Sequence, residues 1–260
     1  MNSEQLEFIV STVLEAIQQG RIGFSTQHVN AVGEGNDVLY TECLGRLIGL
    51  DGSVISAGEF IAPLEAFGYA PYFDRHMLSL VFDWLSNNAF ASLGCNISAD
   101  NFSNEANWAL LYAQLCQYQA VASRLILEIT ESFPIQPRSG VTELIQCIRK
   151  LGYRVAIDDF GTGFSTPEVL LSMSVDIVKI DALFLGLHRQ RKTSHLLRHM
   201  VGLASCVAPT IVVEGVETRN QLGLARAVGA THVQGYLLSD PAHSPIFGGL
   251  ADSMTTKWLM

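Results

Sequence analysis

The chain has 260 residues, 48% of them hydrophobic and 16% charged, with no low-complexity block. That balance excludes a disordered or fibrous protein and allows one α/β barrel or two modest domains. A formal charge of −9 argues against a surface that tracks the phosphates of long nucleic acid and suits a site that gathers carboxylates around divalent cations, so a metal and a small anion are the expected partners.

In chain order, residues 4–19 place Leu6, Ile9, Val10, Val13, Leu14 and Ile17 at helical spacing, which predicts an amphipathic entry helix. Eight short apolar runs follow, at 21–27, 38–47, 90–98, 124–130, 153–159, 175–181, 209–215 and 230–236. Most gaps between them hold a helix-length amphipathic segment, such as 75–88, 138–151 and 195–205. Strands alternating with helices predict a largely parallel sheet, and eight such repeats predict an α/β fold closed as a TIM-like (β/α)8 barrel. An open doubly wound sheet needs fewer strands or a second domain, and no linker rich in Pro, Gly and Ser divides the chain. Residues 32–37 (VGEGND) are only a turn, so the first strand is expected to run antiparallel to the second. We expect one domain over 1–260: an N-terminal helix at 1–20, a barrel core at 21–241 and a tail at 242–260. Apolar stretches break off before the roughly 18 to 20 residues that cross a bilayer, and no leader-like segment opens the sequence. A cytoplasmic protein without a membrane segment is expected.

Near the ends of seven of the eight runs stands a group able to hold a metal, move a proton or make a hydrogen bond: Glu42, Asn96, Glu128, Asp158 with Asp159, Lys179, Glu214 and Gln234. Apolar neighbours surround each one, so their polar atoms would be buried at high cost unless paired or metal-bound. A single carboxylate in a strand is explained equally well by a structural ion pair. Seven strands that agree are not, because Lys179 cannot neutralise five acids. Strand C-termini of a parallel barrel converge on one mouth, and oxygen-rich coordination there suits Mg²⁺ or Mn²⁺.

The motifs in order resemble those of the EAL-domain cyclic di-GMP phosphodiesterases from about Gln27 to Pro241. The tripeptide that names the family is matched by Glu42-Cys43-Leu44, its N-x-S by Asn96-Ile97-Ser98, its E-x-T-E by Glu128 to Glu131 and its D-D-F-G-T-G by Asp158 to Gly163. K-I-D, E-G-V-E-T and Q-G-Y follow at Lys179–Asp181, Glu214–Thr218 and Gln234–Tyr236. The resemblance implies hydrolysis of cyclic di-GMP to linear pGpG with two divalent cations, which would clamp the phosphate and activate water. Glu42, Asn96, Glu128 and Asp158 would hold one cation, and Asp158 and Asp159 would hold or bridge to the second. The resemblance makes Lys179, Glu214 and Gln234 the catalytic groups and leaves open which of Lys179 and Glu214 takes the proton. It assigns Gln27, Leu44, Arg46, Asp181 and Glu217 to the substrate, with an arginine fork suited to a phosphate. Glu131, Gly161, Thr162 and Gly163 would stabilise the loop at 159–168, which the family uses to couple dimerisation to metal binding, so a homodimer is expected. A barrel that only binds cyclic di-GMP or a protein partner, and a hydrolase for another phosphate ester, are the rival readings.

The chain departs from the family at Cys43 (alanine), Leu47 (tryptophan), His28 (proline), Ala57 (proline) and Thr166 (serine), none of them a proposed ligand. Strand alternation turns Cys43 away from the mouth, so a packing effect is expected. Other motifs are read as ordinary. His195 and His199 lie four apart on a predicted helix without the zincin glutamate, which favours a solvated or subunit-facing helix. The basic run 188–192 (HRQRK) reads as a solvated loop, with a partner or dimer contact as the alternative. The cysteines, at 43, 95, 116, 147 and 206, form no C-x-x-C pair, and reduced, mostly packed thiols are expected.

Overall fold

The computed structural model describes residues 2–33, 35, 37–130, 140–162, 174–186, 193–241 and 245–247. The entry helix α1 (Ser3–Gln18) begins at a capping box, in which Asn2 accepts from the Gln5 amide at 2.9 Å and the Gln5 side chain accepts from the Asn2 amide at 3.1 Å. These bonds satisfy amides that the first turn leaves without partners.

Strands β1 (Ile22–Ala31) and β2 (Val38–Ile48) form the expected antiparallel hairpin. A short strand β3 (Val54–Ser56) follows, then β4 (Leu93–Ile97), β5 (Leu125–Thr130), β6 (Arg154–Phe160), β7 (Ile177–Ile180), β8 (Thr210–Val213) and β9 (His232–Gln234). From β2 and β4 through β9 the strands pair in parallel, and β1 closes the ring antiparallel to both β9 and β2. The result is an eight-stranded α/β barrel. Strand β3 was not expected from the sequence. It exists because β2 leaves β4 after Cys43 and runs on to Ile48, where Arg46, Leu47 and Ile48 pair with Ser56, Ile55 and Val54. Glu42 therefore lies inside its strand rather than near its end.

The helices among the described residues are α2 (Ile61–Ala66), α3 (Ala70–Asn87), α4 (Glu105–Gln117), α5 (Val141–Lys150), α6 (Leu183–Gly186), α7 (Thr193–Ala204) and α8 (Arg219–Val228). The helix expected at 75–88 starts five residues earlier, with Pro71 in its first turn, where the missing N–H costs no hydrogen bond. The main core lies between barrel and helices and includes Phe24, Leu78, Phe82, Ile97, Leu111, Ile145, Val178 and Ile211. Cys43 belongs to this outer layer, on the face away from the mouth. Cys95 is buried with it, but Cys147 is only half-buried and Cys116 and Cys206 are exposed. The expectation of mostly packed thiols is corrected for those last two: both sit at the ends of surface helices.

A second, small cluster plugs the barrel interior: Val29, Tyr40, Ile126, Ala156, Ile177 and Val212. On β4 the place in this layer goes to Gly94, where a Cβ would collide with Glu128 Oε1 and lie 2.6 Å from the Tyr40 ring. The large plug on β2 thus requires the absent side chain on β4.

Candidate active site

Side chains two residues apart on a strand share a face, so each strand that contributes a plug residue contributes the next inward residue to the layer above it. Tyr40 is followed by Glu42, Gly94 by Asn96, Ile126 by Glu128, Ala156 by Asp158, Ile177 by Lys179 and Val212 by Glu214. Strand β1 runs the other way, and Val29 is preceded by Gln27. Gln234 of β9 pairs with Val29 and completes the ring.

Lys179 is fully buried at the centre. Its Nζ lies 2.6 Å from Glu128 Oε2, 2.9 Å from Asp158 Oδ1, 3.0 Å from Glu214 Oε1 and 3.3 Å from Glu42 Oε2. Burial pushes its pKa down, but the four carboxylates outweigh that and hold the ammonium well above its ordinary value. Three N–H bonds and one positive charge cannot balance four carboxylates. Burial and the neighbouring acids, against Lys179, push Glu128 up to about 8 and raise Asp158 and, strongly, Glu214. Asp159 rises to about 6 through burial and the charges of Asp158 and Asp181. Glu42 is the exception: burial would raise it, but Lys179 and donors from Gln234 and Asn96 bring it below the usual range. Those donors are Asn96 Nδ2, 2.8 Å from Glu42 Oε1, and Gln234 Nε2, 2.5 Å from Glu42 Oε2.

Strict alternation would turn one of two consecutive aspartates away from the mouth. The pairing register of β6 with β7 shifts between Ile157 and Phe160, and Asp159 has a φ of +54°. This left-handed conformation is uncommon outside glycine but accessible to aspartate, and it brings both carboxylates to the same end of the strand. Gly161, with φ +101°, completes the turn, and a Cβ there would lie 2.6 Å from Met200 and 2.7 Å from Phe184. Thr162 donates its amide and its hydroxyl to Asp159 O, at 3.2 and 3.0 Å.

Two overlapping trios of acids result. Ligand atoms of Glu42, Glu128 and Asp158 lie within 4.8 Å of one another, as do those of Asp158, Asp159 and Glu214. Among the described residues, buried Asn96 Oδ1, Glu128 Oε1 and Gln234 Oε1 have no hydrogen-bond partner. Unpaired oxygen atoms beside an excess of buried negative charge are the donor set a hard divalent cation takes, and the shared Asp158 suits a pair of them.

Around this cluster Gln27 links β1 to β9, accepting from Gln234 Nε2 at 3.2 Å and donating to Ser239 O at 3.1 Å. Leu44 and Arg46 continue the Glu42 face up β2, both half-buried. The Arg46 guanidinium donates to Gly45 O at 2.9 Å and makes no ion pair among the described residues. Asp181 accepts from the Leu183 amide at 2.7 Å, and Glu217 is exposed just before the cap of α8. His195 and His199 are exposed. Glu131, Gly163, Thr166, most of the loop at 159–168 and the basic run 188–192 lie outside the described residues. Sequence reasoning missed Tyr40 and Gly94; their signal is the pairing of an aromatic with a glycine, each two residues before a polar group.

The family model described as the EAL domain matches residues 11–241. The chain belongs to the EAL domain family. It is 30% identical over 244 residues to a protein named "Probable cyclic di-GMP phosphodiesterase PdeA" from Escherichia coli K12, which covers 90% of this chain and 32% of that protein. It is 26% identical over 234 residues to cyclic di-GMP phosphodiesterase PdeB of Shewanella oneidensis, covering 88% and 27%. The chain thus spans about a third or less of the length of these relatives. Among solved structures, the FimX EAL domain from Pseudomonas aeruginosa bound to c-di-GMP has a TM-score of 0.77 at 20% identity, covering 91% of this chain and 97% of that one. Vibrio cholerae LapD, in its S helix-GGDEF-EAL form, has a TM-score of 0.82 at 21% identity, covering 92% and 58%. These likenesses establish the EAL barrel fold, and the match starts inside α1, earlier than the motifs alone suggest. No described helix is long and apolar enough to cross a membrane.

Proposed function

We propose that this EAL domain hydrolyses one phosphodiester of cyclic di-GMP to give linear pGpG, using two divalent cations, Mg²⁺ or Mn²⁺. The observation that carries this reading is the pair of acid trios sharing Asp158 around a buried lysine. When bound, the cations supply a Lewis-acid clamp on the phosphate and activation of water at neutral pH.

The chain's own groups have separable tasks. Glu42, Asn96, Glu128 and Asp158 hold one cation, and Asp158 with Asp159 the other. Gln234 and Asn96 fix Glu42 through its two oxygens, which keeps that carboxylate ionised and aimed. Lys179 orients the attacking water and offsets charge that develops on the phosphate. Glu214, half-buried and raised in pKa, accepts the proton. Arg46, with no carboxylate to satisfy it among the described residues, meets a substrate phosphate, and Gln27, Leu44, Asp181 and Glu217 line the remainder of the substrate site.

The test is incubation with cyclic di-GMP and Mn²⁺, with chromatography for the linear product, alongside Glu42→Ala. Turnover by the wild type and none by the variant supports the enzyme. Binding of cyclic di-GMP without turnover by the wild type overturns hydrolysis in favour of a sensor.

A further inference from the structure

Asp74 is a buried carboxyl outside the site. It lies on α3 in a stripe with Met77, Leu78, Val81 and Leu85, the face that packs on the barrel. No ion pair compensates it among the described residues. Its Oδ2 accepts from the Ser98 amide at 2.8 Å and from Asn101 Nδ2 at 2.7 Å. Asn101, itself fully buried, also donates to Ser98 O at 3.1 Å. Both backbone polar groups of Ser98 are therefore held by two buried side chains.

Ser98 is the first residue after β4, two beyond Asn96. An amide ligand has one useful oxygen, and Asn96 can turn it toward a cation only while Nδ2 stays on Glu42. That orientation depends on how the chain leaves β4. A bare apolar contact between α3 and β4 would bury this region at lower cost than a carboxyl held by hydrogen bonds alone, so the carboxyl is there for direction. We infer that Asp74, through Ser98 and Asn101, is a positioning residue that aims the Asn96 side-chain oxygen at the metal site. The inference rests on the metal reading above.

Burial, against the donors from Ser98 and Asn101, raises Asp74 to about 7. Both donors end on Oδ2, and the carbonyl oxygen of an asparagine can accept the same two bonds. The experiment is titration of the whole chain with Mn²⁺, following free Mn²⁺ by its paramagnetic resonance signal, with circular dichroism on every variant. Asp74→Ala should weaken Mn²⁺ uptake by about tenfold or more, the scale of lost outer-shell support, and Asp74→Asn should restore it to within about threefold. In Asn96→Ala the second change should cost nothing more, because the group it aims is gone. Asn101→Ala removes the side-chain donor to Asp74 Oδ2 and to Ser98 O while leaving Asp74 and its bond from the Ser98 amide in place, and it should weaken uptake in the same Asn96-dependent way, which covers the case where Asp74→Ala fails to fold. Equal uptake by wild type and both alanine variants, or losses that add to that of Asn96→Ala, overturns the inference and leaves the metal site standing. No uptake by the wild type overturns the metal reading, and this inference with it.

Discussion

Replacing Lys179 by methionine, close in length and volume, removes the ammonium facing Glu42, Glu128, Asp158 and Glu214. Breaking a buried ion pair from one side costs about 3–5 kcal/mol because the other charge is left uncompensated. For a domain of this size that is a fall in melting temperature of roughly 6 to 20 °C. The loss should depend on pH in a defined sense. Glu128 is raised in the folded state to about 8, so its protonation favours the folded chain. That contribution is complete below the unfolded value, about 4.3, and is lost as pH rises through about 8. Without the ammonium the acids rise further, so Lys179→Met should fall furthest behind wild type near pH 8.5 and recover toward pH 5.5. Millimolar Mn²⁺ at pH 8.5 should also recover part of the loss, since cations take over the neutralising role. Differential scanning calorimetry with and without chelator measures both effects. Equal melting of the two proteins at pH 8.5 in chelator would refute the idea that Lys179 is the countercharge of the site.

Four further outcomes are expected. Gly94→Ala sets a methyl against Glu128 Oε1 and the Tyr40 ring; overpacking of this kind costs about 1–3 kcal/mol, and the companion change Tyr40→Leu should return part of it in a denaturant melt. Affinity for Mn²⁺ should rise with pH, because Asp159 near 6 and Glu128 near 8 must shed protons to act as ligands; isothermal titration at several pH values should show proton release that fades above about pH 8. Arg46→Ala should raise KM for cyclic di-GMP while leaving Mn²⁺ uptake unchanged, since its guanidinium bonds only Gly45 O among the described residues. The chain should form a homodimer, and light scattering giving a monomer mass at assay concentration would count against it.

The sequence carried local information well. Short apolar runs alternating with helical spacing announced a parallel barrel, the position of Glu42, Asn96, Glu128, Asp158, Lys179, Glu214 and Gln234 near the ends of those runs directed them to one mouth, and the six-residue turn at 32–37 announced an antiparallel first strand. The eight-stranded barrel and its family were legible because those signals repeat and their order is specific. Other features were settled between strands that are distant in the chain. Whether both aspartates could share the mouth depended on the shifted register of β6 on β7 and the left-handed Asp159. Whether a tyrosine could plug the barrel depended on a glycine 54 positions later. That Glu42 sits inside its strand followed from β2 outrunning β4 to pair with β1 and β3. Asp74 lay just before the helix expected at 75–88, and its partners on Ser98 and Asn101 come from a part of the chain more than twenty residues away. Periodicity reports which face a residue occupies, because the backbone repeats locally. What meets it across that face is set by closure of the barrel, and only the tertiary structure decides that.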